Sequence, residues 1–108
     1  MLLTPFAADA QDDLTKNFVA KYAEKFNGEV PIQFAADAYD AVYAVKAAAE
    51  AAGATPGMSA SDLCDAIAGQ MTQITVTGLT GEITWDASGE PNKEPKAVVI
   101  ENGAYKAM

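Results

Sequence analysis

The sequence predicts an α/β chain in which three amphipathic helices come first and short strands, closing in a C-terminal hairpin, come after. Three observations carry this reading. Between residues 12 and 71 apolar side chains recur at spacings of three and four. From Thr72 onward they alternate with Thr and Glu and are broken by Gly78 and Gly81. The run from Ile32 to Ala52 holds neither Gly nor Pro and is built largely from Ala, the strongest helix former.

Leu2-Leu3-Thr4-Pro5-Phe6 is short, apolar and punctuated by Pro, which suits a strand end or an edge rather than a central strand. Asp9, Asp12 and Asp13 then precede Leu14, Phe18, Tyr22 and Phe26, an i, i+4 series that stops at Asn27-Gly28. The acids sit at the positive end of the expected helix and the lysines toward its negative end. The spacing predicts a helix over about 12–26 with an aromatic core stripe.

Pro31 fixes the approach to the longest helix, expected over 32–52, and Gly53 stands where a left-handed residue would end it. Phe34, Ala38, Val42, Val45 and Ala49 form the stripe read as core-facing, and the many alanines let a neighbour approach closely. On that reading, Asp at Ala38 or Val42 would bury an unpaired charge and cost ~3–5 kcal/mol. After the Pro56-Gly57 turn, Ser59 to Asp62 offer caps for a third helix over 60–71, with Leu63, Ile67 and Met71 on one face. Cys64 lies between Leu63 and Ile67 and is expected to be a buried, inert thiol.

In the strand region, Ile74 and Val76, Leu79, and Ile83 and Trp85 give a strand, a glycine corner and a second strand, followed by a turn at Asp86 to Gly89. That turn lacks the alternating-acid, central-Gly, terminal-Glu spacing of a calcium loop. Glu90 to Pro95 reads as a polar connector without regular structure. Lys96 to Glu101 is β-branched enough for a strand, and Asn102-Gly103 is the turn signal that returns Ala104 to Ala107 upon it.

Composition narrows the function. Fifteen Asp and Glu against seven Lys, with no Arg and no His, give a net charge of −8, which repels phosphate backbones and anionic lipid. Nucleic acid and membrane surfaces are therefore poor partners. Without His, with a single Cys and no Gly-rich phosphate loop, the chain offers no nucleophile–base pair, metal cluster or phosphate cradle. The expectation is a protein that is not an enzyme and uses no cofactor or metal. No apolar run reaches eighteen residues, and Met1 to Phe6 lacks the basic start and apolar region of a signal peptide, so any targeting segment is expected to have been removed or to lie outside this sequence.

The order of parts carries more. Phe18-Val19-Ala20-Lys21-Tyr22-Ala23-Glu24-Lys25-Phe26, then Ala38-Tyr39-Asp40-Ala41-Val42, then Gly78-Leu79-Thr80-Gly81-Glu82-Ile83-Thr84-Trp85-Asp86-Ala87-Ser88-Gly89, then Asn102-Gly103, resembles the C-terminal part of type I periplasmic binding proteins. More narrowly, it resembles the Leu/Ile/Val-binding proteins that feed ABC transporters. The resemblance implies two Rossmann-like lobes joined by crossing strands. Residues 1–92 would belong to a partial first lobe, and residues 93–108 would supply a crossing segment and the C-terminal hairpin of the second.

It also implies capture of a branched-chain type amino acid outside the cytoplasm, in the periplasm or extracellular space, for uptake by a membrane-bound ABC permease. The segments that grip the ligand's charged groups in that family have no counterpart here, so weak binding is expected of this chain alone. The family's cleft lies near the start of the helix matching the longest one here, which marks Phe34, Ala36 and Asp37 as ligand-binding positions. Phe34 as a helix-start core residue and Asp37 as a first-turn acid are competing structural roles for two of them, and Tyr39 and Asp40 are read as structural. Open strand edges and an uncovered apolar face point to a homodimer. The alternative is a self-associating, non-catalytic α/β module without ligand.

Overall fold

A computed structural model describes all 108 residues and orders them as β1 (Leu2–Thr4), α1 (Asp13–Lys25), α2 (Gln33–Ala51), α3 (Ala60–Met71), β2 (Val76–Gly78), β3 (Gly81–Trp85), β4 (Pro91–Asn92), β5 (Lys96–Glu101) and β6 (Ala104–Ala107). The expected α/β sequence of three helices, short strands and a hairpin is what forms. Local signals set several of the helix ends. The Asp12 carboxylate accepts the Thr15 N–H at the start of α1, and the Ser59 hydroxyl accepts the Asp62 N–H at the start of α3. Beyond α1, Asn27 turns left-handed and the Gly28 N–H reaches the Ala23 carbonyl. Beyond α2, Gly53 does the same, with Gly53 N–H on Glu50 and Ala54 N–H on Ala49, the paired bonds of a Schellman ending.

The strands form two three-stranded antiparallel groups, β1-β5-β6 and β2-β3-β4. β1 lies at the edge of its sheet and ends just before Pro5. Asn102 and Gly103 both take positive φ, so a two-residue turn pairs Glu101 with Ala104. The connector after the Asp86 turn is more regular than its composition predicts: Pro91 and Asn92 pair with Trp85 and Thr84, because a proline at a free edge takes no ladder hydrogen bond away.

The core gathers Phe6, Phe18, Ala36 and Leu79, with Leu14, Tyr22 and Tyr39 packed around it. Phe18 meets Phe6 edge-on at 6.1 Å and Tyr39 at 5.0 Å, so the aromatic stripe of α1 does pack on α2. Its last member, Phe26, is exposed and stacks only on Tyr22.

The face of α2 that turns inward is not the expected one. Ala36, Asp40, Ala44 and Ala48 are buried, whereas Phe34 is 73% exposed, Val42 69% and Val45 53%. The physical reason is the distance of closest approach. The β2–β3 turn comes so near to α2 that a β-carbon on Gly78 would lie 2.5 Å from the Asp40 carboxylate, and only small residues flanking Asp40 admit that contact. The expected cost of Asp at Ala38 or Val42 is therefore overturned, since both positions are exposed. Cys64 is a second correction: it is exposed, because Leu63, Ile67 and Met71 occupy the half-buried side of α3.

Asp40 itself is 2% exposed, and its carboxylate accepts the Leu79 N–H at 2.8 Å, the Thr80 N–H at 2.9 Å and the Thr80 hydroxyl at 2.6 Å. Removing it would orphan three buried donors at ~1–3 kcal/mol each, less whatever water recovers. Asp40→Ala and, independently, Gly78→Ala should lower the melting temperature by more than about 10 °C. Thermal unfolding followed by circular dichroism measures this, and a change within ~2 °C for either variant would show that the contact does not hold the fold.

Candidate functional site

A cleft of about 640 Å³ opens where three distant stretches meet: Leu2 to Ala8 around β1, Val30 to Phe34 leading into α2, and Val98 with Gly103 to Tyr105 from the C-terminal hairpin. Eleven of its fifteen lining residues are hydrophobic and none is charged, so its chemistry is that of an apolar slot with a few polar atoms. Two of those polar atoms already face each other, the Thr4 hydroxyl donating to the Gln33 side-chain oxygen at 3.0 Å. Both Asp9 carboxylate oxygens accept the Ala107 N–H, at 3.0 and 3.1 Å, which ties the end of β6 to the segment before α1 and holds the hairpin along one wall. Pro31, buried, sets the angle at which the other wall enters α2.

The three sequence-marked positions fall in different places. Phe34 lines the cleft, with its ring largely free. Ala36, two residues on, has no exposed surface and packs in the core with Phe6, Phe18 and Leu79. Asp37 is half-buried and forms a 2.6 Å ion pair with Lys93, in the connector between β4 and β5. It lies just past the first turn of α2, which begins at Ile32 without a side-chain cap and without a first-turn acid. The ion pair therefore joins the helix that carries one wall to the connector that leads into the other.

Sequence reasoning passes over Leu2, Leu3, Ile32, Gln33 and Tyr105. Their available signal is weak: Ile32 and Tyr105 are large apolar residues beside turn-forming Pro31 and Asn102-Gly103, where burial in a local core is not possible.

Elsewhere the chain holds no group of three or more His, Cys, Asp or Glu placed for a metal ion. The Asp86 turn is closed on itself, with one carboxylate oxygen accepting the Ser88 N–H at 2.8 Å, the Ser88 hydroxyl at 2.6 Å and the Glu90 N–H at 3.0 Å. The Ser88 hydroxyl, followed by the Glu90 and Ser88 N–H groups, lowers the Asp86 pKa below its ordinary value of 3.8. A depressed carboxylate supports the fold above its unfolded-state pKa and loses that support as pH falls through the folded value. Ser88→Ala should bring the Asp86 titration, followed by carbon-detected NMR, back up toward the ordinary value. An unshifted titration would remove the hydroxyl from the turn's support.

A family model described as periplasmic binding protein matches residues 1–102. Among solved structures, a Rhodospirillum rubrum protein described as a branched-chain amino acid ABC transporter superposes with a TM-score of 0.72 at 30% identity, covering 99% of this chain and 30% of its own. A leucine binding protein from Thermotoga maritima gives 0.72 at 24% identity, covering 98% and 29%. An ABC transporter substrate-binding protein from Desulfitobacterium hafniense, in complex with Leu, gives 0.75 at 19% identity, covering 95% and 29%. The chain thus spans about 30% of the length of the solved proteins it matches. No curated protein sequence matches it.

Proposed function

Since the chain belongs to the periplasmic binding protein family, we propose that it is part of an extracytoplasmic solute-binding protein that captures an amino acid of branched-chain type for uptake through an ABC permease. The observation that carries this reading is the uncharged apolar cleft at the first turn of α2. Such a slot suits a short aliphatic side chain, and the likeness to the Rhodospirillum rubrum protein supports the same solute class. No chemical step belongs to this function: the sequence holds no His, and the cleft lining holds no nucleophile with a base beside it.

In this reading Phe34 packs against the solute's apolar part. Ala36, seated in the core, sets the height of that turn above Phe18 and Leu79. Asp37, three residues past Phe34 on α2, would meet the ammonium group in exchange for Lys93. Residues 1–92 would form a partial first lobe, and residues 93–108 a crossing segment and the C-terminal hairpin of the second. The β2-β3-β4 group ends at Asn92, which supports a boundary there, and β1 crosses it by pairing with β5. No helix is long and apolar enough to cross a membrane.

A zwitterion needs placed donors and acceptors for both its charges, and the cleft lining supplies neither sign. The chain alone should bind leucine, isoleucine or valine with a Kd of about a millimolar or weaker, roughly −4 kcal/mol. Following backbone amides during titration to tens of millimolar, we expect shifts at Ile32, Phe34 and Tyr105 and none at Trp85, with Phe34→Ala abolishing them. Micromolar affinity by calorimetry would contradict the incompleteness of the site, and shifts confined to other residues would move the site elsewhere.

A second reading, a two-fold dimer without ligand, is favoured by the free edges of β1 and β6 and by exposed Leu2, Leu3 and Tyr105 beside them. A monomer mass that does not change with concentration in sedimentation would dismiss it.

A further inference from the structure

The C-terminal hairpin turns on Asn102-Gly103, and the sequence carries one other Asn-Gly pair, Asn27-Gly28, just past the end of α1. The Asn of each pair takes positive φ, 52° at Asn102 and 55° at Asn27, and all four residues are exposed. An Asn followed by Gly can react with its own backbone, because no side chain on the next residue blocks the approach of that residue's nitrogen to the amide carbon. The remaining asparagines, Asn17 and Asn92, precede Phe18 and Lys93, whose side chains crowd that approach.

The two pairs differ in what holds the attacking nitrogen. Gly28 N–H donates to the Ala23 carbonyl at 2.7 Å and Glu29 N–H to the Phe26 carbonyl at 3.1 Å, so Asn27-Gly28 is bound into the ending of α1. Gly103 N–H donates to no backbone carbonyl. Its turn closes a hairpin whose last strand, β6, is exposed along all four residues and lies at the edge of its sheet. An edge of that kind opens readily, and opening lets the Asn102 side chain and the Gly103 nitrogen meet.

We propose that Asn102 is a site of spontaneous deamidation, and that the isoaspartate formed there reshapes one wall of the cleft. The Gly103 nitrogen gives its proton to solvent base and attacks Cγ of Asn102. The bond from Cγ to the amide nitrogen breaks, ammonia leaves, and a succinimide ring remains. Water then opens the ring at either carbonyl. Opening at Cγ leaves aspartate; opening at the backbone carbonyl leaves isoaspartate, in which the main chain runs through Cβ and Cγ. Both products place a new negative charge beside Gly103, Ala104 and Tyr105, which line an otherwise uncharged cleft. Isoaspartate also lengthens the backbone of a two-residue turn, so Glu101 and Ala104 lose their pairing register. With it go the seating of Tyr105 on the wall and the bond from Ala107 N–H to Asp9. This chemistry belongs to the hairpin and is independent of any solute in the cleft.

The test is incubation of the chain at mildly alkaline pH, with and without urea, followed by trypsin digestion and mass spectrometry. Residues 97–106 and 26–46 are single tryptic peptides, each holding one of the two Asn-Gly pairs. Labelling by an isoaspartate methyltransferase tells isoaspartate from aspartate. In the folded chain Asn102 should convert faster than Asn27 by about fivefold or more, the factor that one net hydrogen bond on the attacking nitrogen supplies. In urea the two rates should converge. Equal or inverted rates in the folded chain would overturn the assignment, as would an Asn102 that converts in urea but not in the fold. Amide exchange at Ala104 and Ala107 should then speed up several-fold in the converted chain but not in Asn102→Asp, which carries the same charge on an unaltered backbone. Asn102→Gly, which keeps a left-handed turn and has no amide to lose, should hold its exchange rates through the same incubation. Unchanged exchange in the converted chain, or equal acceleration in Asn102→Gly, would overturn the reshaping of the wall.

Discussion

The contact between Asp40 and the β2–β3 turn is the constraint on which the rest of the structure depends. A buried carboxylate is costly unless its oxygens are met by donors, and here two N–H groups and a hydroxyl from Leu79 and Thr80 meet them. Satisfying Asp40 fixes where the turn sits against α2. Leu79, whose N–H points at Asp40, is thereby delivered into the core beside Phe6, Phe18 and Ala36. One polar anchor thus decides where the apolar material of the strands enters the helical layer. It also decides composition nearby: Gly78 because any β-carbon would strike the carboxylate, and Ala36 and Ala44 because the turn must come close to α2.

The helices were legible because their signals are local. Caps at Asp12 and Ser59, left-handed Asn27 and Gly53, and the absence of Gly or Pro between Ile32 and Ala52 each act within a few residues of the boundary they set. The inward face of α2 was not legible, because burial on a helix with two apolar sides depends on what the tertiary structure brings against it. Phe34, Val42 and Val45 give the larger hydrophobic signal, yet the side chosen is the one with the smaller residues and a charge. A carboxylate among alanines reads as a solvated position until a turn 39 residues away supplies its donors. Cys64 is hidden for a related reason: Leu63 and Ile67 share the half-buried side of α3, whereas Cys64, though next to Leu63 in sequence, is exposed.

The candidate site shows the same limit in another form. Phe34 is marked only through the family resemblance, and the slot it lines is built from three stretches whose ends are more than a hundred residues apart. What joins them is non-local: antiparallel pairing of β1 with β5, the Asp9 carboxylate on the Ala107 N–H, and the Asp37–Lys93 ion pair. None of these has a spacing signature, since each partner is ordinary in its own segment. Only the hairpin turn at Asn102-Gly103 announces itself, and it fixes Tyr105 on the wall without saying what the wall faces.

The cleft and the free side of α2 meet at Phe34, and this continuity constrains how recognition by such a site can be divided. A cleft whose lining bears no charge can sort solutes by the shape of an apolar group but cannot hold both charges of an amino acid. Asp37, three residues past Phe34 on α2, and Lys93 neutralise each other at 2.6 Å, so either meets another charged group only by exchanging its present partner. Exchange between two partly exposed ions costs little, on the order of 0–1 kcal/mol. The ion pair is thus cheap to reopen, while the apolar walls are fixed by strand pairing and by the core beneath Ala36. In the proposed reading, the rigid apolar walls would sort solutes by shape, and the Asp37–Lys93 pair would be the contact that changes partners.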